Sequence, residues 1–151
     1  MLAASKTIIG WKESVDLVDW HINNLPSKAD TGARRSVIDA TNIVDTGDGW
    51  IEFDVMLHRS KRDQKQRIRA HISHESDVKS SNGLKEKRYF VETRVKVGKV
   101  VKSVELSLSD REGMTCRMLL GRKALEGQFI VDSETKYITR KRKKTFVGER
   151  S

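Results

Sequence analysis

Cysteine occurs once, at Cys116, which excludes an internal disulfide and leaves no Cys-based zinc site. Proline also occurs once, at Pro26, so no proline-rich linker divides the chain. No stretch approaches the ~18 apolar residues needed to cross a bilayer. The opening segment Met1–Lys6 is too short to read as a signal peptide. What is present is 151 residues with 36% hydrophobic and 34% charged side chains, enough for one economical core. Lys and Arg total 30 against 21 Asp and Glu, a net charge of +9 that favours anionic partners and says nothing about fold. The expectation is a cytoplasmic protein with no membrane contact. A single domain is expected over residues 1–139, followed by a disordered basic tail over residues 140–151.

The dominant apolar period is two, the strand signal. Ile51, Phe53, Val55 and Leu57 alternate with Glu52, Asp54 and Met56. Ile68, Ala70 and Ile72 alternate with Arg67, Arg69 and His71, and Val91, Val95 and Val97 with Glu92, Arg94 and Lys96. After a Gly98-Lys99 turn, Val104, Leu106 and Leu108 alternate with Glu105, Ser107 and Ser109, and Thr115–Leu120 is a further short apolar run. The one helix expected is a single turn, Arg122–Glu126, ended by Gly127, whose missing Cβ suits a left-handed cap. The fold class is therefore all-β, built of short strands joined by hairpins. Trp11, Trp20, Trp50, Tyr89, Phe90 and Phe129 are expected to serve its core.

Two stretches are strongly basic: His58–His71, with six Lys/Arg and one Asp, and the unbroken run Arg140–Lys144. Each reads first as solvated surface or tail, and alternatively as a contact for an acidic substrate or RNA. Bases stack on aromatics interleaved with cations, and Gln66–Ile72 contains no aromatic, so nucleic acid is the weaker alternative.

Asp30-Thr31-Gly32 is followed by Ala33, and the same tripeptide recurs at Asp45-Thr46-Gly47. Alone, each reads as a turn. About ninety residues after Asp30 comes Met118-Leu-Leu-Gly121-Arg122-Lys-Ala-Leu125, an apolar strand, a Gly-Arg corner and a short helix. The pair resembles the signature of retropepsin-like aspartic proteases. Ile9–Glu13, Lys28–Arg34, Val78–Gly83 with Glu86, Arg88 and Tyr89, Met118–Leu125 and Phe129–Asp132 follow in order. Together they resemble a bacterial branch of that family that carries the label ATP-dependent zinc protease and accompanies ATP-grasp glutamate ligases of the RimK type. The resemblance runs from about Ile8 to Tyr137 and implies a closed barrel of short antiparallel strands with one short C-terminal helix.

Asp45 follows Ile43-Val44, the usual apolar lead-in. However, Asp48-Gly49 and a strand come directly after it, so Asp45–Gly49 reads as a hairpin turn and Asp30 as the working residue. The zinc label does not fit the residues. His71-x-x-His74 lies where alternation reads as one strand, which would send the two rings to opposite faces. No metal and no cofactor are expected.

The resemblance implies an aspartic endopeptidase with Asp30 catalytic, Thr31 bracing the loop across a dimer axis and Gly32 allowing close backbone approach. Gly121 and Arg122 would support the loop. Ala33, Arg34 and Arg35 would line the substrate site, and Ser80, Ser81, Asn82 and Gly83 would form a flap tip. Asp30 and Asp45 are too close in sequence for one lobe each, so the second carboxylate is expected from another copy in a homodimer. Arg34 stands where viral members carry an acidic residue. Arg34 and Arg122 would then place two cations near the cleft floor, unless an acidic residue elsewhere, such as Glu13 or Asp132, pairs with them. Arg34, with Arg35, would grip substrate carboxylates. The expected substrate is an acidic peptide or glutamylated protein, such as an oligoglutamate tail added by a RimK-type ligase. A peptide-binding domain without catalysis and a basic barrel binding nucleic acid are the alternatives.

Overall fold

Period two along the chain becomes hydrogen-bonded strand pairing in the computed structural model, which describes residues 5–79 and 82–139 and the backbone of 146–147. The strands are β1 (Thr7–Leu17), β2 (Ile22–Ala29), β3 (Ser36–Asp45), β4 (Trp50–Met56), β5 (Lys65–His71) and β6 (His74–Lys79). They continue with β7 (Lys85–Val97), β8 (Val100–Ser109), β9 (Met118–Leu120), the single-turn helix α1 (Arg122–Leu125), β10 (Phe129–Lys136) and β11 (Phe146–Val147). Strands hold 62% of the described residues, so the class is all-β. The helix ends at Glu126, whose backbone is extended, and Gly127 follows with φ +82° in a turn closed by the Gln128 amide on Leu125 O at 3.3 Å.

Six strands close on themselves: β1 pairs with β2, β2 with β9, β9 with β3, β3 with β8, β8 with β7, and β7 again with β1. The closed barrel agrees with the sequence expectation, but its pairing is mixed. β2 and β9 run parallel (Ser27↔Met118), as do β3 and β8 (Ser36↔Leu106), and β10 joins β1 in parallel outside the ring. Alternation identifies a strand and not its direction, which long connections set here.

The barrel core contains Ile9, Val15, Leu17, Ile22, Leu25, Ile38, Val91, Leu106, Met118 and Leu120, all essentially sealed from solvent. Each such side chain contributes about 1.5–3 kcal/mol through burial. The β4–β5 hairpin extends this core with Ile51, Phe53 and Ile68, where Phe53 meets Trp20 edge-on at 5.5 Å. Of the aromatics expected inside, Trp20, Phe90 and Phe129 are buried, whereas Trp11, Trp50 and Tyr89 are half-buried. Asp54, expected on an outer face, is buried. Burial alone would raise its carboxyl, but bonds from Asn42 (2.7 Å) and Arg67 (3.3 Å) outweigh that and hold it below the usual carboxylate range.

The basic stretch His58–His71 is largely neutralised. Arg67 pairs with Glu52 and Asp54, Arg69 with Asp48 and Glu52, Lys65 with Asp54, and Arg62 with Asp39 and Asp110. Its strand also meets an aromatic that the linear sequence hides, because Arg69 lies over Trp50 of β4 at 4.2 Å. The expected disordered tail lies outside the described residues except for Phe146–Val147, whose backbone pairs with β2.

Candidate active site

The loop after β2 carries Asp30-Thr31-Gly32 to the surface: Asp30 and Ala33 are half-buried, and Thr31, Gly32, Arg34 and Arg35 are exposed. The Asp30 amide is anchored on the Leu120 carbonyl of β9 at 2.9 Å, and the Gly32 N–H donates to Asp30 Oδ1 at 2.9 Å. The rest of the loop is held from below by α1. The Arg122 amide donates to Ala33 O (2.7 Å), the Lys123 amide to Arg34 O (3.1 Å) and the Arg122 guanidinium to Thr31 O (3.0 Å). A residue the sequence reading passed over, Ser36, completes the support. Its buried hydroxyl accepts from the Gly121 amide at 3.0 Å, and nothing in the linear sequence marks it.

Gly121 makes the close approach of corner and loop sterically feasible. A Cβ there would lie 2.5 Å from Arg35 O and 2.6 Å from Arg35 C, backbone atoms that cannot swing aside. Gly121→Ala is therefore expected to cost about 1–3 kcal/mol, read as a lowered midpoint in thermal denaturation.

The two arginines of the loop differ. Arg35 is ion-paired to Glu105 at 3.2 Å and lies over the Phe90 ring at 4.9 Å. Arg34 has no ion pair or side-chain hydrogen bond among the described residues. Neither Glu13 nor Asp132 pairs with Arg34 or Arg122. Glu13 is buried and accepts from the amides of the nearby Gly10 and the sequence-distant Ile138 and Thr139, and from the Thr139 hydroxyl. Asp132 accepts from the Glu134 amide within β10. Glu13 serves instead to tie the segment after β10 across β1.

Asp45-Thr46-Gly47 lies in the turn between β3 and β4, as its continuation indicates. The Gly47 N–H donates to Asp45 Oδ1 at 2.9 Å, the same local bond as at Asp30, and the Tyr89 hydroxyl donates to Asp45 Oδ2 at 3.2 Å. The hairpin expected as a flap is formed by β6 and β7, paired from His74↔Phe90 to Lys79↔Lys85. The strand entering its tip, β6, has a polar sequence without apolar alternation. Asn82 and Gly83 sit at the tip, with Asn82 accepting from the Leu84 amide at 3.2 Å, while Ser80 and Ser81 lie outside the described residues.

His71 and His74 do not share a strand. His71 ends β5 and stacks on Trp50 at 3.6 Å, and His74 begins β6 and meets Phe90 at 5.1 Å. Among the described residues no group of three or more His, Cys, Asp or Glu converges as a ligand set. No helix among them is long and apolar enough to cross a membrane.

An all-β closed barrel whose Asp-Thr-Gly loop rests on an apolar-Gly-Arg corner and one helical turn is the architecture of the retropepsin-like class. A family model described as the retropepsin-like aspartic endopeptidase RimB matches residues 8–142, and the chain belongs to this RimB-like family. Among curated proteins it is 34% identical over 131 residues to a probable alpha-L-glutamate ligase of Desulfotalea psychrophila, covering 85% of this chain and 28% of that protein. It is 33% identical over 134 residues to a protein of the same name from Shewanella pealeana, covering 87% and 29%. The chain thus spans under a third of the length of these relatives. A crystal structure of a Legionella pneumophila protein of unknown function (DUF785) shares the fold, with a TM-score of 0.72 at 24% identity over 90% of this chain and 100% of that one.

Proposed function

We propose that the chain is an aspartic endopeptidase, working in the cytoplasm as a homodimer and cutting acidic peptides such as oligoglutamate tails. The observation that carries this reading is the setting of Asp30. Its carboxylate lies on an exposed loop clamped from behind, and among the described residues its one hydrogen bond comes from the Gly32 N–H. Aspartic proteolysis needs two carboxylates about 3 Å apart sharing one proton, since both cannot ionise there. Asp45 is bonded into a hairpin turn, so the second carboxylate is Asp30 of another copy, related by a twofold axis. Thr31, exposed and without a hydroxyl partner in its own chain among the described residues, is placed to bond across that axis.

In the reaction, the ionised carboxylate takes a proton from water as its oxygen attacks the peptide carbonyl carbon. The protonated carboxyl donates to the carbonyl oxygen. Collapse of the tetrahedral adduct breaks the C–N bond, delivers a proton to the leaving amine and restores the shared proton. The β6–β7 hairpin, with Asn82 and Gly83 at its tip, closes over the substrate and excludes water.

Substrate choice follows from Arg34. An exposed guanidinium without a protein partner grips a carboxylate bidentately. Relatives named probable alpha-L-glutamate ligase are consistent with a substrate that contains glutamate. Ion-pairing of Arg62, Lys65, Arg67 and Arg69 offsets locally the basic stretch that would have favoured nucleic acid. Arg34→Ala should lower kcat/KM on synthetic oligoglutamate by about 10- to 100-fold, the worth of one charged hydrogen-bonded contact, and leave a neutral peptide little changed. Equal losses on both would remove Arg34 from substrate recognition. Binding of oligoglutamate without any cleavage would make the domain a peptide receptor.

A further inference from the structure

A half-buried lysine of β8 reaches the same helical turn that clamps the Asp30 loop. Lys102 Nζ lies 3.1 Å from Lys123 O, 3.0 Å from Ala124 O and 3.1 Å from Glu126 O. The last carbonyls of a helix have no intrahelical donors, and a one-turn helix has almost nothing else to stabilise it. An ammonium carries three N–H donors and no acceptor, so one Lys102 satisfies three carbonyls at once. Its positive charge also sits at the negative end of the turn.

The other end of α1 is where the loop is held. The Arg122 and Lys123 amides donate to Ala33 O and Arg34 O, and the Arg122 side chain to Thr31 O. A turn of four residues bonded at both ends transmits the position of one to the other. We infer that Lys102 is a positioning residue for the Asp30 loop, acting through α1 without touching substrate. This rests on Asp30 being the catalytic carboxylate for its consequence in turnover, but not for its structural content. Lys102 lies twenty residues before α1, in phase with the apolar Val104, Leu106 and Leu108, and nothing in the linear sequence links it to the turn it reaches.

The test compares the wild type with Lys102→Met, which keeps the stem and removes the donors, and Lys102→Arg, which keeps the charge. A planar guanidinium cannot direct three donors into one cluster of carbonyls as an ammonium does. In Lys102→Met, hydrogen exchange at the Arg122 and Lys123 amides should accelerate about 10-fold or more, while Ile38 and Leu106 in the barrel keep their protection. On oligoglutamate, kcat should fall about 10-fold with KM unchanged, because the loop and not the substrate contact is disturbed. Lys102→Arg should fall between the two. Unchanged exchange at Arg122 and Lys123, or faster exchange spread evenly over the barrel, would overturn the inference. If the wild type hydrolyses no peptide, the peptidase reading fails while the exchange measurement still decides the role of Lys102.

Discussion

Asp30→Asn is expected to lower peptide hydrolysis by about 1,000-fold or more while leaving the fold intact. The asparagine keeps an oxygen where Asp30 Oδ1 accepts from the Gly32 amide, and the loop's other anchors, on Leu120 O and through Arg122 and Lys123, belong to backbone atoms or to α1. What disappears is the ability to ionise and to share a proton, on which both the base and the acid step depend. The change should be read in kcat on oligoglutamate, with thermal denaturation shifted by less than about 1 kcal/mol. Mixing equal amounts of wild type and variant gives a further readout. If each dimer needs both carboxylates, subunit exchange leaves about a quarter of the activity, whereas independent monomers would leave half. Asp45→Asn should leave kcat unchanged, since Asp45 lies in the β3–β4 turn and asparagine suits that turn equally well.

The largest stability effect is expected at Asp39→Ala. Asp39 is fully buried and accepts from the guanidinium groups of Arg117 and Arg62, the latter at 2.6 Å, and from the Arg111 amide at 2.8 Å. Arg117 is itself 2% exposed, and burial pushes its guanidinium down while Asp39 pulls it back up. The bond to Asp39 raises Arg62 in turn. Removing the carboxylate leaves a buried arginine with no counter-ion, a cost of about 3–5 kcal/mol. The melting temperature should fall by about 10 °C, and Asp39→Leu combined with Arg117→Met should recover most of that loss. The network joins β3, the β4–β5 connection and the segment leading into β9. The barrel seam at β3 and β9 should therefore exchange amide hydrogens faster in the single variant.

How much could be read without coordinates depended on what each segment buries. β4, β5, β7 and β8 carry alternating apolar residues because one face packs on the core, and their approximate positions were legible. β1 and β2 were not, since they break the pattern for tertiary reasons. Glu13 and Ser14 are buried in β1, and β2 contains Pro26, the buried Asn24 with φ 59° and the buried Ser27. Polar groups of this kind are tolerated inside because partners far along the chain satisfy them, as Ile138 and Thr139 do for Glu13. β6 was missed for the opposite reason, since its side chains are half-buried or exposed and have no apolar face to betray them.

The two Asp-Thr-Gly tripeptides show where sequence and tertiary structure divide the work. Sequence alone determined the local turn, which is why both aspartates accept from the glycine two residues on at 2.9 Å. It also determined, through Asp48-Gly49 and the strand that follows, that Asp45 turns a hairpin. Tertiary structure decided that Asp30 alone rests on Leu120, Ser36-braced Gly121 and the amides of α1, and that Arg35 is spent on Glu105 while Arg34 is not. The reason is physical: a turn is closed by bonds within a few residues, whereas a loop is clamped, and a charge neutralised, by groups that only folding brings within 3 Å or so of each other.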